Sequence, residues 1–195
     1  LDETYVCVDN FDAELESHFR FAFSEEFGYL TSCPSEAGTG LRAIQLLHLP
    51  ALAFGGDIPK IIRGLAALKV AIHVPFSENP GSPGDWVLIS NSRSLGKAER
   101  DFVEGLDRVG HKLLDFEDRA LRRSMGEAQS LLEDEVGHAL KALGEIEEVS
   151  GPQSLAILGT LRMGSRAGLV KELEVDHLGP LEFWLQAGHL QLLEG

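Results

Sequence analysis

Thr31-Ser32-Cys33-Pro34-Ser35-Glu36-Ala37-Gly38-Thr39-Gly40-Leu41-Arg42-Ala43 is the stretch on which the reading of this chain turns. Phe27 to Cys33 reads as a strand and Leu41 to Leu49 as another, with a loop of mostly small residues between them. Glycines such as Gly38 and Gly40 let backbone N–H groups approach an anion closely. Arg42, just inside the second strand, adds a planar fork suited to phosphate oxygens. Cys33 stands at the loop mouth near that arginine, a setting in which a thiol pKa can fall. Two readings fit these residues: an anion-binding loop, and a plain hairpin connection with a buried cysteine.

Upstream, Tyr5-Val6-Cys7-Val8 is a short β-prone run, and Asp12 to Glu26 reads as a helix with Leu15, Phe19, Ala22 and Phe23 on one face. Downstream, Asp57 is placed as an N-cap with Pro59 near the first turn of a helix that reaches about Leu68. Lys69 to Phe76 and Trp86 to Ser90 are β-rich, separated by the Pro- and Gly-containing run Asn79 to Gly84. The second half is helical. Phe102, Leu106, Val109, Leu113, Phe116 and Ala120 step by four and three, the 3.5-residue repeat of helix-on-helix packing. Further helices are expected over 131–143 and 155–170, with a stop and restart at Ser150-Gly151-Pro152. The fold class is α+β: an antiparallel sheet flanked by helices, with a helical C-terminal half. Residues 1–195 are taken as one unit, sheet-rich over 1–96 and helical over 97–195.

The chain has 195 residues, with 31 acidic and 17 basic side chains and a formal charge of −14. That balance argues against non-specific binding to nucleic acid or to an anionic membrane, and leaves room for a local basic pocket. Cys7 and Cys33 make neither a disulfide framework nor a metal-ligand spacing, which points to a reducing, cytoplasmic setting. No apolar run reaches membrane-spanning length, and no signal peptide is read at the start. His111, His138, His177 and His189 show no ligand spacing, so no metal site is expected. Arg119, Arg122 and Arg123 are expected to pair with Glu117, Asp118 and Glu127, and Trp86 and Trp184 to be core aromatics.

Cys33-Pro34-Ser35 followed by Gly38-Thr39-Gly40-Leu41-Arg42-Ala43 resembles the signature loop of the ATP:guanidino phosphotransferases. Phe27-Gly28-Tyr29-Leu30-Thr31 ahead of the loop, and Ile89-Ser90-Asn91, Leu95-Gly96 and Glu99 after it, resemble the same family in order. His48-Leu49-Pro50 and Leu46 resemble its bacterial, protein-arginine kinase branch. The resemblance runs colinearly from about Phe11 to near Leu193. It implies a guanidino kinase / glutamine synthetase-like catalytic domain that passes the γ-phosphoryl group of ATP, with Mg2+, to the guanidinium of arginine or a protein arginine. It further implies a cytoplasmic enzyme with room for a protein activator or adaptor and for a homodimer.

Residue by residue, the resemblance places Arg42 as a phosphate-clamping arginine, with Gly38, Thr39 and Gly40 on the nucleotide side of the loop. Cys33 matches the cysteine beside the guanidinium. Counting back without a gap from Ile89-Ser90-Asn91 puts Glu78 on a guanidinium-binding carboxylate and His73 at a nucleotide-side position where the family has an arginine. The departures are physical ones. A histidine has no bidentate fork. Val74, Pro75, Ser77 and Asn79 replace the glycine-rich surroundings of that carboxylate, and Glu36 brings negative charge to a loop position where asparagine is usual. Arg93 lies one position off an arginine that some members carry, and takes no role.

The family's N-terminal helical domain, its paired arginine strands, its Asn-Glu-Glu-Asp-type motif and the bacterial arginine-rich segment have no counterpart in these residues. Two readings follow. One is a kinase catalytic domain that is incomplete or degenerate as an isolated chain. The other is a non-catalytic, pseudokinase-type domain that binds a protein partner or phosphoarginine. A third, an α+β domain with an accidental loop match, is disfavoured by the colinear matches.

Overall fold

The computed structural model describes residues 1–75, 85–145, 149–171, 173, 175–185, 189 and 191–192. Glu78 and the loop expected over 79–84 lie outside the described residues. The chain divides into two compact units. The first comprises Leu1–Leu47, Lys60–His73 and Leu88–Leu113; the second comprises His48–Pro59, Val74–Val87 and Leu114–Gly195.

The first unit begins with a single helix, α1 (Asp2–His18), where a strand over 5–8 and a helix over 12–26 were expected. Asp2 and Glu3 sit in its first turn, where carboxylates complement the helix dipole. Four β-prone residues with no strand to pair with do not hold out against a seventeen-residue helix. At Phe19 the backbone turns extended (φ −125°, ψ 144°), so the aromatic run that follows leaves the helix. Phe23–Ser24 (β1) pairs antiparallel with Gly28–Tyr29 (β2), in the register Phe23 to Tyr29. The strand expected to reach Cys33 is thus only two residues long, and a 3-10 turn at Pro34–Glu36 takes up the chain beyond it.

Three further strands were expected within a few residues of where they lie: β3 (Ile44–His48), β4 (Val70–His73) and β5 (Trp86–Asn91). They form a sheet in the order β3-β5-β4, with β4 and β5 antiparallel and Val70 opposite Asn91. Helix α3 (Ile58–Ala67) precedes β4 and is left through Lys69, whose positive φ of 59° makes the turn into the strand. Ile89, Leu47, Leu65, Val103 and Leu106 are among this unit's buried residues.

Helix α4 (Glu99–Glu127) starts in the first unit and ends in the second. Its buried stripe is Val103, Leu106, Gly110, Leu113, Glu117, Ala120 and Ser124, a repeat of three and four steps. The period is as expected, but Phe102, Val109 and Phe116 give way in the stripe to Val103, Gly110 and Glu117: Phe116 is 46% exposed, and Glu117, at 1%, takes its place. Either residue satisfies the spacing from Leu113. Glu117 wins because it meets the N-terminus of a five-residue helix, α2 (Pro50–Phe54), that the sequence did not announce. Its two carboxylate oxygens accept hydrogen bonds from Ala51 N (2.8 Å) and Leu52 N (2.9 Å).

The rest of the second unit is α5 (Gln129–Glu145), α6 (Gly151–Arg166) and α7 (Val175–Trp184). Helix α6 packs on α2, α5 and α7. It starts with a capping box in which Ser150 Oγ accepts from Gln153 N and the Gln153 side chain accepts from Ser150 N. The arginine pairing expected within α4 is replaced by longer-range contacts. Arg123 binds Asp57 at 2.5 Å, and Arg166 takes Asp118 at 2.5 Å with Glu117 at 4.0 Å. Arg119 lies 5.8 Å from the Phe116 ring centre. Trp184, expected in the core, is 49% exposed. The architecture is α+β, with small antiparallel strand pairs and a helical C-terminal half.

Candidate functional site

The loop between β2 and β3 belongs wholly to the first unit and is fastened at several points. Tyr29 N donates to Gly38 O at 2.8 Å, and Gly38 N to Tyr29 O at 3.1 Å. Thr39 N donates to Ser94 O at 3.3 Å, and Ser94 N to Ser35 O at 3.2 Å. Asn91 accepts from Ala43 N at 2.8 Å and donates to Leu41 O at 3.0 Å, while Ser94 Oγ donates to the same Leu41 oxygen at 2.6 Å. Ser94 is 1% exposed. Asn91 and Ser94 therefore do for this loop what a sheet ladder does for a strand: they satisfy its backbone and fix its path. Neither was singled out as a site residue from the sequence. The available signal was a pair of short polar residues, Asn91 at the end of β5 and Ser94 three residues on, where side chains short enough to bond backbone are favoured.

Gly38 explains why the loop needs glycine. Its φ is +112°, and a Cβ built there would stand 2.7 Å from Ser94 O and 2.8 Å from Leu95 Cα. Gly40 also has a positive φ, +74°, but open space around it. The path carries Thr39, Gly40 and Arg42 to the wall of a cavity of about 530 Å³. Across it, α1 supplies Tyr5, Asp9 and Asp12; Arg20, Tyr29, Thr31 and Glu99 complete its polar lining. Carboxylates and guanidinium groups thus share one concave site. Tyr5 Oη donates to Glu99 at 3.0 Å and Tyr29 Oη to Glu16 at 2.9 Å. Each carboxylate acceptor holds its phenol in the protonated form, so both phenols titrate above the usual tyrosine range, with burial adding in the same direction.

The residues named from the sequence are only partly brought together. Thr39, Gly40 and Arg42 line the cavity, and Gly38 sits behind them in the backbone bridge to Tyr29. Cys33 heads the 3-10 turn and is exposed, so the reading with a buried cysteine is overturned; its Sγ lies 3.0 Å from Ser35 Oγ. Arg42 is not free: Nη1 pairs with Glu36 Oε1 at 3.1 Å, with 56% and 32% of the two side chains exposed. His73 closes β4 opposite Leu88, is exposed, and does not line the cavity.

A family profile described as the ATP:guanido phosphotransferase C-terminal catalytic domain matches residues 1–120. The chain belongs to the ATP:guanido phosphotransferase family. Curated relatives of this guanido phosphotransferase domain include the protein-arginine kinase of Symbiobacterium thermophilum, 32% identical over 195 residues that make up 100% of the chain and 55% of the relative. That of Bacillus licheniformis is 34% identical, covering 100% of the chain and 54% of the relative. That of Clostridium acetobutylicum is 30% identical over 191 residues, 98% of the chain and 56% of the relative. The chain spans about half the length of the curated relatives it matches. Among solved structures, the duplicated taurocyamine kinase from Schistosoma mansoni, with bound transition state analog components, aligns with a TM-score of 0.53 and 25% identity. That alignment covers 69% of this chain and 19% of the taurocyamine kinase chain. The family's fold is thereby the fold of this chain.

Proposed function

We propose that this domain is the nucleotide- and guanidinium-facing part of an ATP-dependent kinase that phosphorylates arginine side chains of proteins. The observation that carries the reading is Arg42, held beside Thr39 and Gly40 at the wall of a polar cavity by a loop whose backbone is fastened by Asn91 and Ser94. Family membership and the protein-arginine kinase relatives support it. In the proposed reaction a guanidinium nitrogen attacks the γ-phosphorus of ATP. A P–N bond forms, the bond from phosphorus to the β-bridging oxygen breaks, ADP leaves, and the guanidinium gives up a proton. Such a transfer is mainly a matter of alignment and charge neutralisation. Arg42 would neutralise phosphate, Gly38 and Gly40 would let backbone N–H groups approach it, Cys33 would stand beside the guanidinium, and Glu78 would orient it.

Among the described residues no group of three His, Cys, Asp or Glu side chains is placed to hold a metal. Mg2+ would sit on the nucleotide's phosphates, its usual partners, and no step is routed through it. A protein activator or adaptor and a homodimer are further parts of the proposal, as is a cytoplasmic location. No helix among the described residues is long and apolar enough to cross a membrane.

The test is calorimetric titration with Mg-ADP of the chain and of Arg42→Ala. The expected result is micromolar to sub-millimolar binding by the wild type, about −5 to −8 kcal/mol. Binding by Arg42→Ala should be weaker by tenfold or more, since a charge-assisted phosphate contact contributes about 1.5–3 kcal/mol. No binding by the wild type, or equal binding by both, overturns the reading.

One observation favours a non-catalytic alternative: the carboxylate of Glu36 already occupies the Arg42 guanidinium. Exposed pairs of this kind contribute about 0.2–1 kcal/mol. Glu36→Gln should therefore leave the denaturation midpoint unchanged and tighten Mg-ADP binding by about two- to fivefold. Phosphoarginine formation by the wild-type chain would sink the alternative; unchanged nucleotide affinity in Glu36→Gln would show that Glu36 does not compete for Arg42.

A further inference from the structure

The second unit holds a buried chain of charged side chains that the phosphoryl-transfer reading does not use. Asp85 Oδ2 lies 2.8 Å from His48 Nε2; His48 Nδ1 lies 3.3 Å from Arg162 Nη1; Arg162 Nη2 donates to Glu182 Oε2 at 2.8 Å. The His48 and Glu182 side chains are each 5% exposed, those of Asp85 and Arg162 18%. One face of the imidazole is stacked on Trp86, with ring centres 4.5 Å apart and planes 22° apart. Helix α6 approaches through Gly159, where any side chain would run into both Asp85 and His48.

The bonding order fixes the imidazole's state. Arginine has only donors to offer, so the lone pair that meets Arg162 must be on Nδ1, and the ring proton must be on Nε2, donated to Asp85. A second proton has only Nδ1 to go to. There it would face an N–H and a positive charge where an acceptor stood. The charged groups around the ring come from every element packed on it: Asp85 ahead of β5, Glu117 on α4, Arg162 on α6 and Glu182 on α7. The carboxylates among them draw a proton to the ring, whereas Arg162 opposes it, so Arg162 is the contact that yields.

We infer that His48 is a proton-operated latch. With Nδ1 bare it ties α6, through Arg162, to the chain at the end of β3. With Nδ1 protonated that tie is lost, and α6 with its partner α7 loosens from the Asp85–Trp86 segment. The device is separate from the loop at Arg42 and does not depend on the kinase reading.

Trp86 is a built-in reporter, because a stacked imidazolium quenches indole emission far more than a neutral imidazole does. The chain has two tryptophans, so Trp184→Phe leaves Trp86 alone. In that background, emission is followed from about pH 8 to about pH 5, spanning the usual imidazole range. Amide exchange of α6 and α7 is compared with that of His48→Gln at matched pH. The expected result is a one-proton fall in emission with acid, accompanied by faster exchange in α6 and α7, both missing in His48→Gln. Emission that does not change, or changes equally in His48→Gln, overturns the inference. Should His48→Gln fail to fold, Arg162→Gln decides: removing the opposing cation moves the emission transition to higher pH, and an unmoved transition overturns the inference.

Discussion

Gly38→Ala should abolish Mg-ADP binding and lower the stability of the chain, whereas Gly40→Ala should do much less. Both glycines have positive φ, so both alanines carry a backbone penalty of about 1–3 kcal/mol. At Gly40 nothing else is near, and the cost ends there. At Gly38 the added Cβ would stand 2.7 Å from the carbonyl oxygen of Ser94 and 2.8 Å from Leu95 Cα, which are backbone and cannot rotate away. The loop must lift off the 90–95 segment. That costs the Thr39-to-Ser94 and Ser94-to-Ser35 hydrogen bonds, and with them the fixed position of Arg42. Each of the two lost backbone bonds adds about 0.5–1.5 kcal/mol, so the total for Gly38→Ala is about 2–6 kcal/mol. Urea midpoints and calorimetry on the two variants make the comparison. A Gly38→Ala protein as stable as Gly40→Ala would mean the loop is not held against Ser94 as described. A Gly38→Ala protein that is destabilised yet binds Mg-ADP normally would separate the loop's path from nucleotide recognition.

Much of this was legible in the sequence, and what was not follows a pattern. The strands at 44–48, 70–73 and 86–91 and the long helices of the second half were readable because each carries its own periodicity or its own stop signals. The loop's glycines and Arg42 stood out because backbone freedom and a planar fork are properties of the residues themselves. The latch of Asn91 and Ser94 on Leu41 joins residues about fifty apart, and no local pattern announces such a bond. The cavity's acidic wall was hidden for a related reason: Asp9 and Asp12 lie on α1, over part of which the residues suggested a strand. Four β-prone residues there gave way to a longer helix. His73, reached by counting back from Ile89-Ser90-Asn91, ends β4 exposed and is not among the residues lining the cavity.

Glu117 is the clearest case of a polar residue winning a core position, and its removal should be among the most damaging changes in the second unit. Glu117→Ala leaves Ala51 N and Leu52 N, at the start of α2, without their acceptors. An unsatisfied buried donor costs about 1–3 kcal/mol. At neutral pH part of that loss is offset, because the wild type has buried a carboxylate at 1% exposure. Burial pushes the Glu117 carboxyl above the usual range, against the pull of the two backbone N–H groups and of Arg166. The sign of the pH dependence follows. A carboxyl with a raised folded-state pKa binds its proton more readily folded than unfolded, so its contribution is fully present below the ordinary glutamate range. It is lost as pH rises through the raised value. The destabilisation caused by Glu117→Ala should therefore be largest in mild acid and shrink toward neutral pH, to a net of about 2–3 kcal/mol. Comparing wild type and variant at each pH cancels other titrating groups, Glu182 included, whose carboxyl burial also raises. Denaturant melts at several pH values supply the measurement. A stability gap that widens as pH rises would mean that the two N–H bonds outweigh burial, and that Glu117 is held as a stabilised carboxylate rather than a strained one.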